Sequence, residues 1–216
     1  MRWFVLGILL GNTCLPAADV KIDNDAVRVL KAVQQPHQKT PPHEHVLNRV
    51  MVYLDAATIR VIYEDGRVEN QHWTDGEVAW SVAGGRHTSE NVGNTPIRIV
   101  EIELKKPARA KPPDRAPQLD PVVLDPSHNE LLFENGQVRV FRSLREPGAT
   151  EQMHEHTGAG RVAILLTDAK ASVKQSDGST VELRGATGDV FWSGPVTHAT
   201  TNLGTSKLDM IVVEVK

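Results

Sequence analysis

The sequence repeats itself, and histidines mark the repeat. Six of the nine histidines form two sets of three, which are His43, His45 and His87, then His154, His156 and His198. The offset between each histidine and its counterpart is constant, since the differences 154 − 43, 156 − 45 and 198 − 87 are all equal to 111. A constant offset between three rare residues indicates an internal duplication, in which each half is one structural unit.

The spacing within each set predicts a metal site. In a strand, residues i and i+2 lie on one face about 6.6 Å apart, so a His-x-His pair directs two imidazoles to a common point. The third histidine follows at the same distance along the chain in both sets (87 − 45 and 198 − 156 are equal), which places it on another strand. Imidazole nitrogens bind divalent metals at about 2.1 Å. One isolated His-x-His would favour surface or core histidines, but the duplication with the third histidine in register favours metal ligands.

Composition limits the partners of the chain. The net charge of −3 and the pI of about 6.3 leave no strongly basic surface for nucleic acid or for an acidic membrane. With 216 residues, 40% of them hydrophobic, the chain can bury one large core or two small ones. The sequence sets no oligomeric state, and a homodimer is compatible with it.

The segment 1–18 is typical of a secretory signal peptide. Arg2 supplies the positive charge, residues 3–10 the apolar stretch, and residues 16–18 a small-residue cleavage zone before Asp19. The apolar run is too short to span a bilayer, and an uncleaved anchor is the alternative. This predicts a secreted or periplasmic protein with no membrane contact beyond the signal segment. The only cysteine, Cys14, falls inside it, so the mature chain would offer no thiolate to a metal.

The remainder predicts an all-β chain. Four β-branched runs with partial alternation occur in the first half, at 26–33, 49–54, 58–63 and 97–104. Asp65-Gly66 and its later counterpart Asp177-Gly178 are hairpin signals. We expect two antiparallel barrels of six to eight strands each, at 19–105 and 129–216, with Trp80 and Trp192 in matching core positions. Residues 106–128 contain six prolines, which predicts a linker.

The order of these motifs resembles the cupin superfamily, and the duplication resembles a bicupin. The two motifs of the family are GxxxxxHxHxxxxExxxxxxG and GxxxxxPxGxxHxxxN. The first is represented here by the two His-x-His pairs. Residues matching the second motif are Gly76, Gly84, His87 and Asn91, then Gly188, His198 and Asn202. Val82 stands where proline is usual, and the second half is one residue shorter between Gly188 and His198.

The resemblance implies two tandem jelly-roll barrels, also called double-stranded β-helices, with a three-histidine metal site in each. Cupins include oxygenases, isomerases, decarboxylases and non-catalytic binders, and the three-histidine variant favours non-haem iron dioxygenase chemistry on a small-molecule substrate. Iron is the expected metal, with manganese, zinc and nickel as alternatives. Asn91 and Asn202 are expected to orient the ligands. The competing hypothesis is a non-catalytic cupin that binds a small molecule without metal.

One departure from the family affects the chemistry. Where the family has a glutamate ligand, this chain has Arg49 and Arg161. An arginine facing a divalent metal at about 5 Å would oppose binding by roughly 7 kcal/mol at an effective dielectric of 20. The arginine could pair with a carboxylate, bind an anionic substrate, or mark a site without metal. We expect pairing, with Glu103 and Glu214, because these acids recur at matching positions in the last strand of each half.

Overall fold

The computed structural model describes residues 18–109 and 119–216, and most of them are in antiparallel strands. The first half contains nine strands: β1 (Asp19–Asp23), β2 (Val27–Gln34), β3 (His43–His45), β4 (Arg49–Tyr53), β5 (Ala57–Tyr63), β6 (Val68–Trp73), β7 (Val78–Ser81), β8 (Gly84–Asn91) and β9 (Ile97–Leu104). They form a five-stranded sheet in the order β1-β2-β9-β4-β7 and a four-stranded sheet in the order β3-β8-β5-β6.

The second half repeats this arrangement. Its strands are β10 (Asn129–Glu134), β11 (Val138–Arg145), β12 (His154–His156), β13 (Gly160–Leu165), β14 (Ala169–Gln175), β15 (Thr180–Gly185), β16 (Val190–Ser193), β17 (Val196–Asn202) and β18 (Leu208–Val215). The sheet orders are β10-β11-β18-β13-β16 and β12-β17-β14-β15, which are the first-half orders moved by nine strands. The predicted all-β, antiparallel, duplicated fold is therefore confirmed.

The two five-stranded sheets share one apolar core. Strand β4 is buried along its whole length. Val50 and Val52 face the other half, while Met51 and Tyr53 face the interior of their own barrel. Alternating side chains therefore meet apolar surroundings on both faces, which explains the continuous apolar runs in the sequence. The shared core also contains Val27, Val29, Val100, Ile102, Val138, Val140, Val162, Ile164, Ile211 and Val213. Trp80 and Trp192 pack against it, as predicted.

A reciprocal contact brings the two halves together. An added methyl group at Gly188 would lie 2.8 Å from the Cδ1 atom of Leu54, and one at Gly76 would lie 3.0 Å from the Cδ1 atom of Leu166. The two pairs are related by the repeat, since the differences 188 − 76 and 166 − 54 are equal. The Nδ2 atom of Asn48 also donates to the Oε1 atom of Gln137 across the same junction at 2.6 Å. In each of these contacts a glycine of one half leaves room for a leucine of the other.

The structure corrects one detail of the prediction and adds another. Each half has nine strands rather than six to eight, because strands as short as β3 and β7 contain too few residues to show alternation. Within the proline-rich segment, the described part includes a short helix, α1 (Pro121–Leu124), which begins at proline after the capping residue Asp120.

The predicted signal peptide lies almost entirely outside the described residues. No helix among the residues that the structure describes is long and apolar enough to cross a membrane.

The glycine contacts at the junction can be tested with Gly188→Ala. Gly188 has a φ of 87°, and so does Gly178, which has nothing within 4 Å of an added methyl group. Both alanine variants carry the positive-φ penalty of about 1–2 kcal/mol, but only Gly188→Ala also forces Leu54 to move, which costs about 1–3 kcal/mol more. Urea unfolding should therefore show a larger loss for Gly188→Ala. Equal losses of unfolding free energy would mean that Leu54 can move away from the added methyl group without destabilising the protein.

Candidate metal centres

The two histidine sets lie at equivalent places in the two barrels. Strand β3 pairs with β8, so that His43 is opposite His87, and β12 pairs with β17, so that His154 is opposite His198. The middle glutamate of each His-x-His triplet does not belong to either cluster of ligand atoms. In both clusters all three imidazoles offer a nitrogen within 4.8 Å of the other two. The predicted convergence of the histidines is confirmed.

The second cluster is the tighter and more buried of the two. The Nε2 atom of His156 lies 2.9 Å from that of His154 and 3.2 Å from that of His198. Nitrogens bound at about 2.1 Å and at right angles to one another around a metal would be about 3.0 Å apart. The exposed fractions of the three residues are only 4%, 1% and 2% for His154, His156 and His198. The geometry therefore fits three ligands on one face of a metal ion.

The hydrogen bonds of the second cluster also favour a cation. His154 donates its Nδ1 hydrogen to the carbonyl oxygen of Gln152 at 3.0 Å, and the Nδ1 atom of His156 is 2.7 Å from the Oε1 atom of Glu214. Since both Nδ1 atoms carry hydrogen, both Nε2 atoms of neutral rings present lone pairs. These lone pairs face each other at 2.9 Å inside the protein. A cation between them makes that arrangement favourable, so the donor set fits a metal.

Burial lowers the pKa of at least one imidazole in each cluster. It lowers the pKa of His154, and with the nearby charge of Arg161 it lowers the pKa of His198 to about 2. In the first barrel burial and the charge of Arg49 lower the pKa of His45 to about 3. The neutral ring is the form that binds metal. These rings should therefore stay available at pH values below the ordinary histidine pKa of about 6.5.

The first cluster fits a metal less well than the second. His43 and His87 hold their Nδ1 hydrogens on the carbonyl oxygens of Pro41 and Gly85, at 2.9 Å and 2.5 Å. In His45, however, the Nδ1 atom faces the Nη1 atom of Arg49 at 2.6 Å. Because arginine can only donate, this contact leaves the hydrogen of a neutral His45 on Nε2. Metal binding through that nitrogen requires the contact with Arg49 to break.

The expected arginine pairing with Glu103 and Glu214 is wrong. The carboxylate partner of Arg49 is Glu101, at 2.7 Å, while Glu103 lies 3.7 Å from Arg28. Glu103 is opposite Arg49 in the strand register, but the long arginine side chain reaches the acid two residues away on the same face.

In the second barrel the acid expected to pair with arginine supports a histidine instead. Glu214 contacts His156 at 2.7 Å and lies 3.8 Å from Arg139. A carboxylate on the Nδ1 atom of a metal-binding histidine orients the ring and makes it a better ligand. Arg161 bonds Ser193 Oγ through its Nε atom at 3.1 Å and lies 3.4 Å from the Nδ1 atom of His198. This contact is longer than the one between Arg49 and His45, but it too must break before a neutral His198 can bind metal through its Nε2 atom.

The predicted role of Asn91 and Asn202 in orienting the ligands is also wrong. The Nδ2 atom of Asn91 donates to the carbonyl oxygens of Gln34 and Thr95, at 3.1 Å and 2.8 Å. Asn202 makes the equivalent bonds with Arg145 and Ser206. Both asparagines therefore tie the turn after the third-histidine strand to a neighbouring strand.

Sequence reasoning missed a buried charged network behind the second cluster. Arg145 is 3% exposed and bonds Glu151 at 2.8 Å and Asn129 at 3.1 Å. Glu151 in turn lies 3.8 Å from the Nδ1 atom of His154. The first barrel has Gln34 and Thr40 at the positions of Arg145 and Glu151, since 145 − 34 and 151 − 40 both equal the histidine offset. The sequence did contain a signal for this network, because Arg145 and Glu151 are charged where the first half has uncharged residues.

The cavities differ more than the histidines do. In the first barrel a cavity of about 510 Å³ is lined by all three histidines and by Arg49 and Glu101. In the second barrel the space beside His154 and His156 is only about 20 Å³, which is room for about one water molecule. A separate cavity of about 330 Å³ at the mouth of that barrel reaches His198 but neither of the other two histidines.

Comparison of the sequence with protein-family models gives no match, and comparison with the curated proteins gives none. Solved structures are similar in fold. AerE from Microcystis aeruginosa matches with a TM-score of 0.63 and 10% identity over 94% of this chain and 97% of its own. A variant of Bacillus subtilis oxalate decarboxylase matches with a TM-score of 0.62 and 12% identity, over 88% and 69%.

A variant of salicylate 1,2-dioxygenase from Pseudoaminobacter salicylatoxidans, in complex with gentisate, matches with a TM-score of 0.58 and 10% identity, over 88% of this chain and 68% of its own. Identities this low establish the fold alone. The chain has the two-barrel cupin fold that its motifs predicted.

The support given by Glu214 can be tested with Glu214→Gln in a chain that also carries His43→Ala and His45→Ala, so that only the second barrel binds metal. Removing the negative charge from the Nδ1 side of His156 should weaken metal binding about 10- to 100-fold, measured by competition with a chromophoric chelator. Glu103→Gln, at the same position of the first repeat, is the matched control and should change nothing. An equal effect of both changes would contradict a role specific to His156.

Proposed function

We propose that this protein is a metal-dependent oxidoreductase of the dioxygenase type, which acts on a small molecule in its first barrel. The second barrel holds a closed metal centre with room for one water molecule. One observation carries the proposal: the 510 Å³ cavity of the first barrel is bounded by all three imidazoles of its cluster. A catalytic metal needs positions that substrate can reach, whereas a structural metal is enclosed by its ligands.

The walls of the first cavity suit a flat molecule. Tyr53 and Trp73 stack with ring centroids 4.5 Å apart and an angle of 9° between the planes. The Nε1 hydrogen of Trp73 is buried and has no acceptor among the described residues. Burial, with the charge of Glu101, raises the pKa of Tyr53, so its phenol stays neutral. The chain therefore offers a flat aromatic wall and no ionised phenolate.

Arg49 links the cavity to the metal ligands. It bonds the Oγ atom of Ser81 at 3.3 Å and Glu101 at 2.7 Å, besides its contact with His45. Two of these bonds can persist when a metal takes the Nε2 atom of His45. When bound, a divalent iron with three neutral imidazoles would supply open positions for oxygen and substrate. Manganese, zinc and nickel fit the same ligands, and the arginine makes the first site the weaker of the two.

A second candidate function is a small-molecule binding protein whose first barrel holds no metal. The observation that favours it is the 2.6 Å contact between Arg49 and His45, since it keeps a hydrogen on the nitrogen that a metal would need. In that case the large cavity of the first barrel would bind its ligand through Arg49, Glu101 and the Tyr53–Trp73 pair, all of which line it. The two candidates differ in how many metal ions each chain holds.

Elemental analysis distinguishes them. The protein without a histidine tag should hold two metal ions per chain after reconstitution with ferrous iron. The number should fall to one in His43→Ala/His45→Ala and to one in His154→Ala/His156→Ala. Nitric oxide, which occupies an open position on ferrous iron, should give its paramagnetic resonance signal in the second variant, where the first barrel is intact, and lose it in the first.

The alternatives predict other results. One metal ion per chain, lost only with His154 and His156, would favour the binding protein. A nitric oxide signal that persists without His43 and His45 would place the open metal in the second barrel and contradict the assignment of the reaction to the first.

We also propose that residues 1–18 direct the protein out of the cytoplasm, so that it is secreted or periplasmic. The support is the charge of Arg2 followed by the apolar residues 3–10. N-terminal sequencing of protein from the periplasm or the medium should find Asp19 first. A full-length chain confined to the cytoplasm would contradict the proposal.

A further inference from the structure

Arg161 is a partly buried charge, and both of its side-chain hydrogen-bond contacts are with neutral groups. Its Nε atom donates to Ser193 at 3.1 Å, and its Nη2 atom lies 3.4 Å from the Nδ1 atom of His198. Within the described part of the chain no carboxylate forms an ion pair with it, and Glu151 and Glu214 act on it only from a distance. Burial lowers the pKa of Arg161 to about 10, against an ordinary value of 12.5. A guanidinium that is partly removed from water and has no carboxylate in contact gains from an anionic partner.

The first barrel shows what is missing. There Arg49 has Glu101 at 2.7 Å. Glu101 is opposite Met51 in the strand register, and Val212 is opposite Ala163 at the equivalent place in the second barrel. Val212 is 2% exposed and apolar. Both halves therefore have the arginine, but a valine in the second half stands where the first half has the carboxylate.

The mouth cavity of the second barrel is next to this arginine and is largely apolar. Its volume of about 330 Å³ is at the lower end of the range for small-molecule sites, ~300–1,000 Å³. The apolar side chains that line it are Ala163, Val173, Val181, Leu183, Phe191, Trp192, Val196 and Met210. The first barrel has Glu69 and Gln71 where the second has Val181 and Leu183, at the same places in the strand pairing. At these two positions the wall is apolar in the barrel whose arginine has no carboxylate in contact.

We propose that this mouth cavity is a binding site for a monocarboxylate with an apolar body, whose carboxylate bonds to Arg161. A guanidinium has five N–H donors, and contacts with Ser193 and His198 use two of them, which leaves donors for a bidentate carboxylate. The apolar body fills the space between Val181, Leu183 and Phe191. The ligand supplies the charge that Glu101 supplies in the first barrel.

The site is separate from the reaction proposed for the first barrel and needs none of its residues. It also differs from coordination of a carboxylate to metal, because the 330 Å³ cavity reaches His198 alone among the three histidines of the second cluster. Arg161 lines both this cavity and the 20 Å³ space beside His154 and His156. The arginine therefore forms part of the wall between the ligand and the metal centre.

Octanoate is a suitable probe. Calorimetric titration of the mature, metal-loaded protein should show one octanoate bound per chain, at least about tenfold more tightly than octan-1-ol, which has the same chain but no charge. His43→Ala/His45→Ala should bind octanoate as the wild type does, whatever becomes of the first-barrel reaction. Equal affinity for the acid and the alcohol, or no binding of octanoate, would overturn the proposal.

A matched pair of variants tests the partner of the carboxylate. Val212→Glu places an internal carboxylate where the first barrel has Glu101, and should weaken octanoate binding at least about tenfold. Val212→Gln adds nearly the same volume without charge and should stay within about threefold of wild type. Unchanged binding in Val212→Glu, or equal losses in both variants, would overturn the assignment to Arg161.

A third variant covers the case in which changes at the buried position 212 prevent folding. Val181 is 57% exposed, so Val181→Glu should fold normally while it places a negative charge on the cavity wall. It should weaken octanoate binding several-fold at low salt and leave octan-1-ol little changed. Equal effects on both probes would count against an anion site.

Discussion

Each barrel depends on the pairing of a three-residue strand with a strand that follows much later in the chain. His43 is paired with His87 and His154 with His198, and the two partners are equally far apart in sequence in both pairs. The chain between the two paired strands forms four other strands of the barrel before it comes back to the site. Antiparallel pairing then puts one imidazole directly opposite another, and the i, i+2 relation adds the third from the same face. The histidine cluster is thus a product of strand register rather than of a loop.

The duplication preserved this backbone and changed what surrounds it. Arg145 and Glu151 make the back of the second cluster charged, with side chains 3% and 8% exposed, where the first barrel has Gln34 and Thr40. Toward the mouth the difference is reversed, since the first barrel has acidic and amide side chains where the second has aliphatic ones. One scaffold therefore carries an open, polar cavity in one half and an enclosed centre in the other.

The sequence predicted the elements whose pattern repeats and missed those that depend on side-chain reach. The six histidines could be found from their offset, and the long strands from their β-branched runs. The partner of Arg49 could not, because register puts Glu103 opposite it while the guanidinium bonds Glu101, one pleat further along. Asn91 shows a second limit of the sequence. An asparagine at this position could bond a histidine ligand or the backbone of a turn, and only its distances to the carbonyl oxygens of Gln34 and Thr95 show that it bonds the turn.

The apolar core shared by the two large sheets has a consequence for how the chain acquires its structure. Val27, Val50 and Ile102 of the first half are fully buried against Val140 and Val213 of the second. Until residues 138–215 have been synthesised, this surface of the first half has no covering, and such surfaces bind chaperones or aggregate. Half of the chain is therefore an incomplete folding unit. Strand β18 of the second half contributes Ile211, Val213 and Val215 to the shared core. Folding of the core is therefore complete only when this strand is present.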